Sequence, residues 1–227
     1  MNIVMSVAPQ ERLSIAEYLS VVTRLIELGY QDEIRWAETV TPPDTAEDFA
    51  GEAIWVVCCS GFKEQAARVC QRAVRQALRA GRSASEVFPK SKKGPVIDNL
   101  WRNRADYFRQ FRDRLEAETS PEEMVAWIGT LPYVGGPILR FHFGKNLGLD
   151  LAKPDRHLQR LVGMPENANP NDAFLAAMAL CRPIAGATGQ RIATVDLVLW
   201  RACNLGILGV DAGGDVVIDL SAGEQAA

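Results

Sequence analysis

The sequence predicts an all-α protein. Apolar residues recur at spacings of three and four through nearly every periodic segment, and helix-start signatures stand ahead of several of them. Sustained alternation of apolar and polar residues is missing until a short stretch near the C-terminus, so no sheet is expected to organise the core.

Ser14-x-x-Glu17 is a capping box before an apolar pattern that ends at Gly29, and residues 31 to 37 give a second short helix. Thr41-Val-Thr-Pro-Pro-Asp-Thr is a loop. A third helix is expected from Asp48 to Cys59, with Ile54, Trp55, Val56 and Val57 inside, broken by Ser60-Gly61-Phe62. The next, Lys63 to Ala80, turns Val69, Ala73 and Leu78 inward and carries Arg68, Arg72, Arg75 and Arg79 as one stripe. Residues 89 to 95, with Lys90, Lys92 and Lys93, read as a basic loop. Residues 98 to 117 read as a single long helix with Trp101, Ala105, Phe108 and Leu115 inward. Ser120-Pro121-Glu122-Glu123 joins an N-cap, a first-turn proline and a capping-box glutamate, and its helix stops at Gly129. Further helices are expected over 137–147, 155–163, 171–181 and 194–204, with Phe174, Leu175, Met178, Leu197, Leu199 and Trp200 as apolar packing and a short strand within 213–220.

Composition sets limits. The chain has 227 residues, 48% hydrophobic and 23% charged, an ordinary globular balance. No apolar run reaches the roughly 18 residues of a membrane span, and the first residues lack signal-peptide order, so a soluble, cytoplasmic protein without membrane contact is expected, nucleoid-associated if prokaryotic. Cys58, Cys59, Cys70, Cys181 and Cys203 include no CxxC pair, and only His142 and His157 are available as imidazole ligands. Reduced buried thiols are therefore expected, with no metal centre and no bound cofactor. The net charge of −3 hides an asymmetry: residues 63 to 114 hold 14 Lys/Arg against 5 Asp/Glu. Such a segment suits a polyanion, although solvated helix faces would give the same count.

The most specific local pattern is Leu131-Pro132-Tyr133-Val134-Gly135-Gly136 between two well-marked helices. The paired glycines permit positive φ and close backbone approach. A turn of this kind is expected to aim amides outward at the start of the following helix, where an anion is favoured. A plain helical corner with glycines for tight packing is the alternative.

Leu-Pro-x-Val-Gly between helices resembles the hairpin of the helix-hairpin-helix DNA glycosylases, the superfamily of endonuclease III. The resemblance continues at Pro154-Asp155-Arg156-His157-Leu158-Gln159-Arg160, which matches that family's Val-Asp-x-His-x-x-Arg stretch about twenty residues after the hairpin. Weaker matches lie at 56–62 and 99–105. Together they cover residues 50 to 162. The resemblance implies a DNA N-glycosylase, a hydrolase of base excision repair that flips a damaged or modified base out of duplex DNA. Asp155 would be its catalytic carboxylate, stabilising an oxocarbenium-like sugar or activating water; read alone, the same residue is an N-cap. DNA contacts would come from Tyr133, Val134, Gly135 and Gly136, from Phe62 as a wedge with Lys63, and from Arg104 and Arg160. Phe62 equally fits a core position at a helix junction, and His157 reads as structural rather than as a proton carrier. A monovalent cation at the hairpin carbonyls is a further implication.

The family's lyase members carry a lysine just after the second hairpin glycine, where this chain has Pro137. The expected enzyme is therefore monofunctional and uses water, with Lys145 and Lys153 the nearest amines. The cysteine cluster of endonuclease III is absent. An alternative is a related protein that binds DNA, or processes hypermodified thymine of phage type, without ordinary base excision; a helical interaction module with no nucleic acid is the dullest reading. The expected architecture is two helical lobes with a cleft between them. One spans 51–150 and contains the hairpin at 131–136. The other joins 14–50 to 151–210, leaving 1–13 and 211–227 as poorly defined tails, in a monomer.

Overall fold

The computed structural model describes residues 12–89 and 91–223. Among them eleven α-helices are found: α1 Ile15–Glu27, α2 Gln31–Thr39, α3 Ala46–Cys59, α4 Glu64–Arg79, α5 Lys93–Arg102, α6 Arg104–Glu116, α7 Pro121–Ile128, α8 Leu139–Asn146, α9 Arg156–Leu161, α10 Pro170–Thr188 and α11 Ile192–Asn204. The fold is all-α. Its only sheet among these residues is an antiparallel pair, β1 Leu208–Val210 and β2 Val216–Ile218, in which Gly209 faces Val217. No described helix is long and apolar enough to cross a membrane.

The chain forms two compact units, divided between Val40 and Thr41 and between Leu149 and Asp150. The first crossing lies ten residues before the boundary expected at 50/51. That boundary would cut through α3, whose Thr45 side chain caps the Asp48 amide and whose buried face starts at Phe49.

In the contiguous unit, residues 41–149, α3 is central and packs against α4, α5, α6 and α8, while α7 packs on α8. Its buried side chains explain the arrangement: Phe49, Ile54, Val56 and Val57 are at most 1% exposed. Phe49 meets the rings of Phe111 on α6 and Phe143 on α8 at 5.5 and 5.2 Å. Glu52, also on α3, accepts a hydrogen bond from Asn146 Nδ2 at 3.0 Å. Burial raises its carboxyl above the ordinary range, against the opposing pull of that hydrogen bond.

Three sequence expectations fail in this unit. The long helix over 98–117 is two helices, because Asn103 leaves helical geometry at ψ 10° and its side chain turns back to the Asn99 carbonyl. With the axis broken, Ala105 is exposed and Phe111 takes the buried place. On α4 the inward face is Ala67, Val74, Ala77 and Leu78, leaving Val69 57% exposed. The stretch expected as a basic loop contributes the start of α5, and Lys93 is buried there; Lys90 lies outside the described residues.

In the discontinuous unit, α11 is central, packed on α10, α2, α1 and α9. Val195, Val198, Leu199 and Ala202 are fully buried, whereas Leu175 on α10 stays exposed and Leu197 is half-buried, contrary to expectation. Helix α10 continues past its expected end at Cys181 and carries Pro183 inside. Arg201 of α11 grips Glu33 of α2 with two guanidinium nitrogens and lies over the Tyr30 and Trp200 rings. Part of the expected C-terminal tail is ordered by β2 and by the Asp219 amide bonding to the Ile207 carbonyl.

The connection from α7 to α8 is tight, for a reason other than the one expected. Neither Gly135 nor Gly136 has positive φ; the residue at +65° is Tyr133. A Cβ on Gly135 would collide with the Gly129 carbonyl oxygen and sit 2.7 Å from that of Leu131. At Gly136 a Cβ would stand 3.2 Å from the Tyr133 oxygen. The close approach is thus internal to the turn. Gly135→Ala is expected to destabilise the protein by about 1–3 kcal/mol, while Gly136→Ala stays near neutral because its crowding is offset by lost freedom in the unfolded chain. Urea unfolding of the two variants measures the contrast, and equal effects would contradict it.

Candidate functional site

The hairpin residues do not present the amides expected of them. Val134 N–H donates to the Pro132 carbonyl at 2.8 Å, Gly135 to Leu131 at 3.1 Å, and Gly136 to Tyr133 at 3.0 Å. Those three groups are consumed within the turn, and the Val134 side chain is fully buried. Ile138 is the N-cap of α8 and Leu139 its first residue; the next two amides are used, Arg140 N–H donating to the Gly136 carbonyl and Phe141 N–H to that of Ile138, both at 3.2 Å. Pro137 contributes none. The carbonyls of Leu131, Pro132 and Tyr133 each accept one of these amides.

Tyr133 reaches in the other direction. Its hydroxyl meets Ser60 Oγ at 3.3 Å, tying the hairpin tip to the turn between α3 and α4. That turn is held from a second side by Lys93, whose Nζ donates to the Ser60 carbonyl and lies 4.0 Å from the Phe62 ring centroid. Phe62 stacks on Phe88 with 17° between ring planes, yet remains 44% exposed. A cation under an aromatic face fixes the ring without covering its outer side. Phe62 is therefore not a core residue but an exposed ring on a braced turn. Sequence reasoning missed Lys93, because nothing local distinguishes it from Lys92.

Two other expected DNA contacts are engaged locally. Arg104 Nη1 donates to the Trp101 carbonyl at 2.6 Å and its guanidinium lies 4.3 Å from that residue's ring. Arg160 pairs with Glu166 on an exposed surface. Lys63 is exposed ahead of α4.

Asp155 belongs to the discontinuous unit and is the N-cap of α9. Its Oδ1 accepts the His157 amide at 3.0 Å and the Leu158 amide at 3.3 Å. Its Oδ2 lies 3.2 Å from Lys153 Nζ, with 15% and 18% of the two side chains exposed. Lys153 is fixed in turn: its amide donates to Asp196 Oδ1 at 2.8 Å, and its ammonium stands 5.4 Å from the Trp200 ring centroid. Gln159 Nε2 donates to the Pro154 carbonyl, which holds the segment ahead of the cap. The pair of Lys153 and Asp155 sits at the solvent edge of a mostly buried setting. Trp200 was expected only as packing; its closeness to Lys153 depends on α11 meeting this loop, which no local spacing predicts. Lys145, the other amine noted near the hairpin, is 8% exposed on α8.

The nearby titratable groups respond to burial. Cys203 is pushed up to about 12, first by burial and then by the Asp155 carboxylate. It stays a thiol at neutral pH. Burial lowers the His157 imidazole below its ordinary value of 6.5, and the opposing pull of Asp155 does not restore it. His157 is thus held neutral, consistent with a structural role. All five cysteines are free, and no group of three or more potential metal-ligating side chains occurs among the described residues.

Comparison with known family models, curated proteins and solved structures found no significant match to this chain.

His157 generates a pH prediction. Its folded pKa lies below the unfolded value, so unfolding takes up a proton as the pH falls. Stability is complete above about pH 7 and declines as the pH falls below it and the unfolded imidazole charges. His157→Gln is expected to flatten that decline, measured as urea midpoints across the range; an unchanged profile would show that the decline originates elsewhere.

Proposed function

We propose that the chain is a duplex-DNA-binding N-glycosylase of the helix-hairpin-helix type, which opens the N-glycosidic bond of a flipped base with Asp155 as the carboxylate beside the sugar. The observation that carries the reading is the way Asp155 is held. Two backbone amides fix one oxygen, and the surroundings are mostly buried while the carboxylate keeps a solvent edge. Breaking the bond places positive charge on the sugar, and a pre-set carboxylate stabilises that charge without reorganising. In the hydrolytic course a water oxygen bonds to C1′, the base leaves with the electron pair of the glycosidic bond and takes up a proton, and the water's proton is released to a carboxylate or solvent. The Ile138 and Leu139 amides at the start of α8 would receive a backbone phosphate, a contact that positions DNA without reading its sequence. Phe62 would fill the space left by the displaced base. Such an enzyme would work inside the cell on chromosomal or phage DNA.

Lys153 favours a second course of the same reaction. Its ammonium partly neutralises Asp155, and a cation there opposes positive charge on the sugar. As the amine nearest the carboxylate, Lys153 could instead attack C1′ after giving its proton to Asp155. A carbon–nitrogen bond forms as the glycosidic bond breaks, and loss of a second proton from nitrogen with ring opening leaves an imine.

Asp155→Asn separates chemistry from capping, because asparagine caps a helix about as well as aspartate. The variant is expected to fold as the wild type does and to lose base release, scored as alkali-labile breaks in duplexes carrying single modified bases. Wild-type breaks that persist in the variant would reject the catalytic role of Asp155. Borohydride trapping of a protein–DNA adduct that disappears in Lys153→Met assigns the amine course; release without trapping assigns the water course.

A further inference from the structure

We infer that the arginine face of α4 is a phosphate track that extends the DNA contact away from the hairpin. The inference rests on the proposed binding of duplex DNA but not on catalysis.

Helix α4 carries arginines at 68, 72, 75 and 79, and its sixteen residues include one acidic residue, Glu64, at the first position. Steps of four, three and four residues put the cations on one side of the helix, about 4.5–6 Å apart along its axis. A solvated surface helix ordinarily mixes both signs, which keeps i,i+4 pairs favourable. Here the like charges repel one another, and nothing on the helix beyond its first turn balances them. Arg75 has a local role, since its guanidinium lies against Gly51 and its charge faces Glu52. Arg72 and Arg79 have none of that kind. Both are exposed, and among the described residues neither makes an ion pair. Arg68, also exposed, lies 5.4 Å from the Trp55 ring centroid.

Position within the unit supplies the second argument. The turn leading into α4 is the one Tyr133 bonds from the hairpin tip, and it carries Phe62 and Lys63. The charged stripe therefore follows that turn, and its four arginines span about 17 Å along α4. Duplex DNA has one phosphate per 3.4 Å of each strand, so the track matches about five base pairs. A regular cationic row of that length complements a regular polyanion.

The test is the salt dependence of binding to a duplex of about twenty base pairs, read by fluorescence anisotropy. Each lost phosphate contact makes the slope of log K against log salt shallower by about 0.9. Arg72→Gln/Arg79→Gln is expected to lower the slope by about 2 and affinity about tenfold to a hundredfold near 0.1 M salt. Arg109→Gln/Arg112→Gln on α6 removes the same charge from arginines that pair with Asp106 and Glu116, and is expected to leave the slope in place. Thermal melts equal to wild type confirm that both variants fold. If the wild type binds DNA and the α4 variant keeps its slope, the track is wrong while the DNA reading stands. If both variants weaken binding equally, only bulk charge acts and the track is again wrong. A wild type that does not bind duplex at low salt defeats the DNA reading itself; binding then to phosphatidylserine vesicles, lost in the α4 variant, would assign the stripe to an anionic membrane instead.

Discussion

The contact of the Gly135 backbone with the Gly129 carbonyl governs the contiguous unit's most distinctive region. Bringing α7 and α8 together through so few residues needs a position with no side chain, and the space a Cβ would occupy is filled by carbonyl oxygens. Everything else in the turn follows from that closeness. The Val134, Gly135 and Gly136 amides find acceptors inside it, the Val134 side chain drops into the core, and the strain is moved to Tyr133, which adopts positive φ. A non-glycine residue in that conformation costs of order 1 kcal/mol. In return its hydroxyl reaches Ser60, so the strained residue links the hairpin to the start of α4. Strain and linkage occur at the same residue, a placement found where a surface has to be held in a set shape.

That linkage gives the exposed groups of this unit a common frame. Phe62 is aromatic and partly exposed, which would ordinarily leave it free to rotate. Stacking on Phe88 and the Lys93 ammonium beneath it remove that freedom. A rigid exposed ring loses little entropy when it contacts something, whereas a loose one would lose its rotamers first. The burial of Lys93 itself makes sense only in this setting, since its charge is met by a carbonyl oxygen and two ring faces rather than by a carboxylate.

Much of the helical plan was legible because caps are local. Ser14, Ser120 and Asp155 each sit where a side-chain oxygen meets an amide two or three residues on, and the sequence carries both ends of that contact, whereas the Thr45 cap falls in the expected loop and its helix starts ahead of the expected Asp48. The break at Asn103 was illegible for the complementary reason: apolar spacing continues through it, and what stops the helix is one side chain turning back on the Asn99 carbonyl. Val69 and Ala105 were misplaced because periodicity gives a face but not the packing partner, and α4 and α6 are rotated by what they meet on α3. The hairpin glycines were found by their spacing, but their purpose was misread, since an unpaired pattern cannot tell room for a ligand from room for the chain's own carbonyls.

Asp155 caps α9 with one carboxylate oxygen and has the other to spare. An N-cap needs only one oxygen of a carboxylate, and here Oδ1 takes both amides. Oδ2 is left to Lys153, whose position is fixed through its own backbone by Asp196. Serine or asparagine would cap α9 as well without a neighbouring cation. An ion pair at 3.2 Å with under a fifth of each side chain exposed carries a desolvation cost that a surface pair avoids. Burial raises the Cys203 thiol and lowers the His157 imidazole, so both favour their neutral forms beside this pair. The Lys153–Asp155 pair is thus held from both ends, by the α9 amides at Asp155 and by Asp196 at the Lys153 backbone.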